Sequence, residues 1–294
     1  MTLTPAFAIL IILLLPLFSL GAGAAQAQSD ADDEGRALTH YDLRGAPARR
    51  LKLAAELAEI SGIAFTQDGR LLAHGDERGT IWQIDQVTGE IVKRFGFGSK
   101  GHLLHGDFED IQVVGDRIFL VTSAGKIFEG PEGANGVVID ALPRSAGLGG
   151  GCEVEGLTFD PSSKSLLLLC KQVRSKRWRG DVVILAISIE TWRFEPEPRI
   201  LVPERALEQV TGNKRFGGSA LVRDPRTGTY LLLAGPQRVY AEVSATGAVL
   251  GGGRLPAELH RQPEGLAIGP DLSLFISDEA AGKHATLSMY AHRP

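Results

Sequence analysis

The sequence predicts an all-β chain folded as a five-bladed propeller, with six blades as the alternative, and three observations carry that prediction. A short motif recurs five times: EISGIAF (59–65), DFEDIQV (107–113), EVEGLTF (153–159), GGSALVR (217–223) and QPEGLAI (262–268). Its third positions, Ser61, Glu109, Glu155, Ser219 and Glu264, lie 48, 46, 64 and 45 residues apart, close to the repeat length of propeller blades. With 36 Gly and 15 Pro in 294 residues, the composition favours many turns over long helices.

The elements follow in chain order. Residues 6–20, AFAILIILLLPLFSL, are a continuous apolar run, and the small-residue stretch after them ends in an A-x-A site at 25–27. This reads as a signal peptide over 1–27, and hence as export to the periplasm or medium. An uncleaved membrane anchor is the competing reading, because the run lacks a basic n-region and approaches the ~20 residues that a span needs. Residues 28–37 read as a flexible acidic leader, and 38–294 as a single propeller domain. Within RALTHYDL, residues 39–43 read as a strand left over before the first unit. The expectation is that it pairs with the blade containing 286–291 and closes the ring, which removes exposed edges.

Each motif copy is followed by a turn: TQDGR, VGDR, DPSSKS, DPRTGT or GPDLS. An apolar strand comes next (LLAHGDE, IFLVTSA, LLLLCK, YLLLAG, LFISDE), and a third strand ends most units. Two-residue alternation is the β signature, and the turn residues supply the special backbone angles of tight hairpins. The long third interval holds KQVRSKRWRG and EPEPRILVP, read as insertions between strands. The chain's two cysteines, Cys152 and Cys170, flank the DPSSKS hairpin; in an oxidising compartment they can form a disulfide, the alternative being two buried thiols.

The stretches GDFEDIQVVGDRIFLVTSAGKIFE, CEVEGLTFDPSSKSLLLLCK and QPEGLAIGPDLSLFISDE resemble the SdiA-regulated family of exported bacterial proteins, which is distantly NHL-like. The similarity runs from about residue 53 to the end. It implies a five-bladed propeller with an associated calcium site and no established enzymatic activity. The first and fourth units depart from the acidic pattern, with Ser61 and Ser219 at the anchor.

Inner strands of a propeller border its axis, so residues entering them converge at one mouth of the channel. Glu109, Glu155 and Glu264 are expected to approach one another there, with Asp107, Glu153 and Glu59 as an outer tier. Carboxylates this close raise one another's pKa unless a cation intervenes, and an all-oxygen set suits Ca²⁺ better than zinc. The alternative for each glutamate is a strand-end cap that accepts backbone N–H groups. The second strands return to the same side, which nominates Asp76, Lys171 and Asp278, together with Ser61 and Ser219, as pocket lining. Glu77 and Glu279 read as solvated loop carboxylates.

A net charge of −4 is unlike the strongly basic balance of a nucleic-acid binder. No HExxH, GxSxG, P-loop or Gly-rich βαβ motif occurs. The sequence therefore points to an exported, calcium-binding module for a small molecule, polysaccharide or protein. A calcium-dependent lactonase or phytase-like esterase is the alternative. The mixed Asn, Asp and Glu sites of such lactonases count against it, because Asn135 and Asn213 both lie outside the anchors.

Overall fold

The computed structural model describes Met1, residues 35–145, 147, 148 and 150–294. The signal-peptide reading and most of the acidic leader lie outside the described residues. Arg36–Pro294 forms one compact unit, and among the described residues no helix is long and apolar enough to cross a membrane.

After β1 (Arg49–Lys52), blade one runs through β2 (Ile60–Phe65), β3 (Leu71–Gly75), β4 (Thr80–Ile84) and β5 (Ile91–Ser99), with β6 (His102–Leu103) paired to β5. Blade two is β7 (Phe108–Val114), β8 (Arg117–Thr122) and β9 (Ile127–Pro131); β10 (Val138–Asp140) then runs parallel to β5, and β11 (Leu142–Pro143) returns to pair with β9. Blade three comprises β12 (Cys152–Asp160), β13 (Ser165–Val173), β14 (Asp181–Ser188) and β15 (Ile200–Pro203). Blade four comprises β16 (Ala220–Arg223), β17 (Tyr230–Ala234), β18 (Val239–Val243) and β19 (Val249–Arg254). Blade five is β20 (Pro263–Ile268), β21 (Leu274–Asp278) and β22 (Thr286–Tyr290), and β1 supplies its outer strand. The five-bladed prediction holds.

Inner strands pack side by side in the order β2, β7, β12, β16, β20 and back to β2. Two residues past each anchor stands a buried aliphatic, Ile63, Ile111, Leu157, Leu221 or Leu266. All five border a cavity of about 260 Å³ that opens beyond them, between Phe65, Phe159 and Arg223. In four of the copies the anchor falls at a register shift between the first and second strands, so it has no cross-strand partner.

Side-chain bonds tie neighbouring blades. Ser61 Oγ donates to Glu109 O at 2.6 Å, and Ser219 Oγ donates to Pro263 O at 3.2 Å. The Asp110 carboxylate accepts from Leu157 N at 2.6 Å and from Ile111 N at 2.8 Å. Asp110 leans over Gly62, where a Cβ would come within 2.3 Å of its Oδ1, so that copy of the motif needs glycine.

Ring closure uses a different segment from the expected one. β1 pairs antiparallel with β22, Arg49 opposite Met289 and Lys52 opposite Thr286. Residues 39–43 form no strand: Ala37–His40 is a 3₁₀ turn, and Tyr41 and Leu43 bury their side chains with Leu231, Leu233, Leu274 and Tyr290 of blades four and five. The reason is a contact between distant parts of the chain. Glu242 of β18 accepts the N–H groups of Ala37 and Leu38 at 2.7 and 2.9 Å, which holds the segment against blade four as an N-terminal cap would.

The long third interval also resolves differently. EPEPRILVP contributes the whole of β15 rather than a pure insertion, and the extra length goes into α1 (Glu204–Thr211), which ends on Gly212 at φ 70°. From KQVRSKRWRG the first three residues extend β13 and Lys176–Trp178 makes one 3₁₀ turn. Cys152 and Cys170 form a disulfide, with Cα atoms 5.5 Å apart across β12 and β13.

Candidate functional site at the axial mouth

The anchors open β7, β12 and β20 at one end of the axis. Asp76, Ser123 and Glu279 follow directly on the last cross-strand partners of β3, β8 and β21, Lys171 lies at the register shift within the β12–β13 pairing, and Gly235 follows the end of β17. Glu155 is buried, and its Oε1 accepts from Lys171 Nζ at 2.8 Å. Burial raises the Glu155 pKa against the lowering effect of Lys171. For Lys171, burial opposes the charge, but Glu155, with Glu153 and Glu264 behind it, carries the pKa above the ordinary lysine value.

The other two anchors are held towards the neutral form. Glu109 is pushed up to about 9 by burial, then by the charges of Glu155 and Asp107. Glu264 rises to about 8 through burial and then through Glu279 and Glu155. Glycine at 235 lets the Glu264 carboxylate in: a Cβ there would sit 3.1 Å from Oε1 and 2.4 Å from Pro263 O. At this mouth, then, Glu109, Glu155 and Glu264 of three blades share one electrostatic environment with Lys171 among them.

Of the outer tier, Asp107 accepts from Ser123 Oγ at 2.5 Å and adds its charge to both Glu109 and Glu155. Glu153 acts on Glu155 and Lys171. Glu59 is exposed and acts on Glu279 across the seam between blades five and one. Asp76 is half-buried, and burial raises its pKa, with Glu77 and Asp107 adding to the effect. Ser61 and Ser219 donate their hydroxyls to backbone carbonyls of the next blade.

Two assignments change. Asp278 does not face the mouth: it is buried, accepts from His260 Nδ1 at 2.8 Å, and His260 Nε2 lies 2.7 Å from Tyr290 Oη. Alternation turns the next residue, Glu279, to the mouth instead. Read as solvated, Glu279 is half-buried and hydrogen-bonded by Gln262 Nε2, and burial with the charges of Glu59 and Asp76 raises it to about 7. His74, at the end of β3, is fully buried; its Nδ1 bonds Gly75 O and its Nε2 accepts from Gly62 N, and burial lowers its pKa to about 4. It is a neutral structural histidine.

Sequence reasoning missed Asp110 and His260, and it named Glu279 but read it as solvated. Asp110 carried a signal, since it takes the place of the Gly or Ala of the other copies. His260 lies outside the repeat, and its partner Asp278 is visible only in three dimensions.

The three anchor side chains are carboxylates, oxygen groups of the kind a hard cation takes. Among the described residues, no three or more His, Cys, Asp or Glu side chains already stand in metal-holding geometry. The positive charge within the acid group is the Lys171 ammonium.

No family model matches the chain, and no curated protein does. Solved structures do. A glucose dehydrogenase aligns with TM-score 0.55 at 11% identity, over 84% of this chain and 100% of its own. The glutaminyl cyclase of Myxococcus xanthus aligns with TM-score 0.53 at 15% identity, over 83% and 94%. A luciferin-regenerating enzyme aligns with TM-score 0.52 at 9% identity, over 82% and 94%. At such identities the likeness shows the fold, a β-propeller, and nothing of the chemistry.

Proposed function

We propose that the chain is an exported binding module of the SdiA-regulated type whose axial acidic mouth takes a cation, with Ca²⁺ the ion best suited to an all-carboxylate donor set. The observation that carries this reading is that Glu109, Glu155 and Glu264, from three blades, act on one another's ionisation beside the Lys171–Glu155 pair. Lys171 engages Glu155, so Glu109, Glu264 and Glu279 are the residues that would hold an ion, after rotation of their side chains. A bound cation would supply the charge that lets those three ionise at neutral pH, when each is otherwise pushed up to about 7 or higher.

The test is thermal melting with and without calcium. Saturation near a hundred times Kd adds about 2.7 kcal/mol, a rise of roughly 5–10 °C for a domain of this size. Glu109→Gln/Glu264→Gln should remove the rise. Coincident melting curves in calcium and in chelator would remove the proposal.

One observation favours a second reading, a hydrolase. Glu109 is held towards the neutral form while Glu155 is paired with Lys171, and two carboxylates in unlike surroundings at one mouth are the arrangement of a general acid and base. The solved relatives above are named as enzymes of unlike chemistry, so their likeness selects no reaction. Asn135 Oδ1 accepts from Arg94 N at 2.9 Å, and Asn213 N donates to Thr211 Oγ1 at 3.2 Å. Turnover of lactones or aryl esters that is lost in Glu109→Gln would establish this reading over the binding module.

A further inference from the structure

Beside the acidic mouth lies a cleft of about 500 Å³, within the size range of small-molecule sites. One wall is the end of β13 with the turn through Trp178 and Arg179. The other is the loop after α1 with Arg215 and Phe216, and Gln237 stands at the back. The side chains of Arg179 and Arg215 make no hydrogen bond or ion pair with any described residue. Lys171, at the edge, has one of its three donors on Glu155. Against these three cations stand Asp181 and Glu204, and Glu204 is engaged by Phe216 N at 3.2 Å. Gln237 Oε1 accepts from Gly217 N at 3.0 Å, which leaves its amide N–H groups without a partner among the described residues.

We propose that this cleft is a second binding site, for a small saccharide that carries a carboxylate or phosphate group. Each feature of the lining has a counterpart in such a ligand. The exposed Arg179 and Arg215 line one cleft, and an unpaired guanidinium presents the forked donors that carboxylate and phosphate accept in pairs. The half-buried indole of Trp178 and the buried ring of Phe216, both lining the cleft, offer apolar surface to the C–H face of a pyranose. The amide of Gln237 matches ring hydroxyls. Lys171 belongs to both sites, so an anion in the cleft draws on the same ammonium that holds Glu155.

Tryptophan fluorescence and calorimetry on the full domain, in EDTA, test this proposal independently of any axial cation. The probes are trigalacturonate, glucose 6-phosphate, the neutral trisaccharide maltotriose, and acetate and inorganic phosphate alone. At least one acidic sugar should bind about tenfold or more tighter than maltotriose and than the free anions. Comparing the two acidic sugars tells carboxylate from phosphate. Arg179→Ala/Arg215→Ala should weaken binding by about tenfold or more, and if that variant melts early, Arg179→Lys/Arg215→Lys serves in its place. Trp178→Phe should remove the fluorescence change while calorimetry still reports heat. Binding of maltotriose or of the bare anions as tight as that of both acidic sugars, or no saturation by either acidic sugar in the millimolar range, overturns the proposal.

Discussion

With its Nζ 2.8 Å from Glu155 Oε1, Lys171 brings positive charge into a group of carboxylates contributed by three blades. Lys171→Met keeps most of the aliphatic stem and leaves the buried Glu155 without its partner. Removing one member of a buried pair costs more than the pair contributes. Because Lys171 is partly exposed, the expected loss is about 1–3 kcal/mol at pH 7. It should shrink at pH 5, where an unpaired Glu155 takes up a proton instead; urea unfolding at the two pH values measures both. A loss that ignores pH would assign the lysine to packing alone. Lys171 and Glu155 were both legible in the sequence as residues of one mouth. Their direct pairing was not, because it depends on the bulges near Glu153 and Val154 that set the β12–β13 register.

At the scale of elements, β1 and the β12–β13 hairpin each carry a prediction. Without β1, the outer edge of β22 would be left with unpaired backbone groups, which invite pairing with another chain. A chain beginning at Leu53 should therefore melt lower and self-associate in sedimentation analysis, whereas one beginning at Arg36 should behave as the full domain. The repeat made ring closure predictable, yet the reading assigned it to residues 39–43 where Arg49–Lys52 provides it. The difference rests on Glu242, about 200 residues away, which claims the backbone of Ala37 and Leu38. In blade three, Cys152 and Cys170 are 18 residues apart in sequence, and a loop of that size loses about 3 kcal/mol of denatured-state entropy when bridged. Cys152→Ala/Cys170→Ala should lose that amount in denaturant melts, and reductant should reproduce it in the parent.

For the whole molecule, the acidic mouth sets a pH dependence. Glu109, Glu264 and Glu279 rise from an ordinary 4.5 to about 9, 8 and 7. The folded chain then binds more protons than the unfolded chain between those limits, so stability falls as pH rises from about 4.5 to 9. Asp68 and Glu132, held low by hydrogen bonds from Arg70, act in the opposite sense, but only as pH falls below the ordinary carboxylate range. Denaturation midpoints should therefore be higher at pH 5.5 than at pH 9 in chelator, and calcium should flatten the slope if the mouth takes it. A midpoint that climbs from pH 5.5 to 9 in chelator would contradict this account of the mouth.

The sequence by itself determined the blade count, the alternation within strands and the identity of the three anchor glutamates, because each is written locally and repeated at one period. Tertiary structure alone decided which strand closes the ring, that Asp278 turns to His260 while Glu279 faces the mouth, and that Lys171 pairs with Glu155. Those outcomes depend on bulges, register and partners from distant blades, and they exist only once the five sheets stand around one axis.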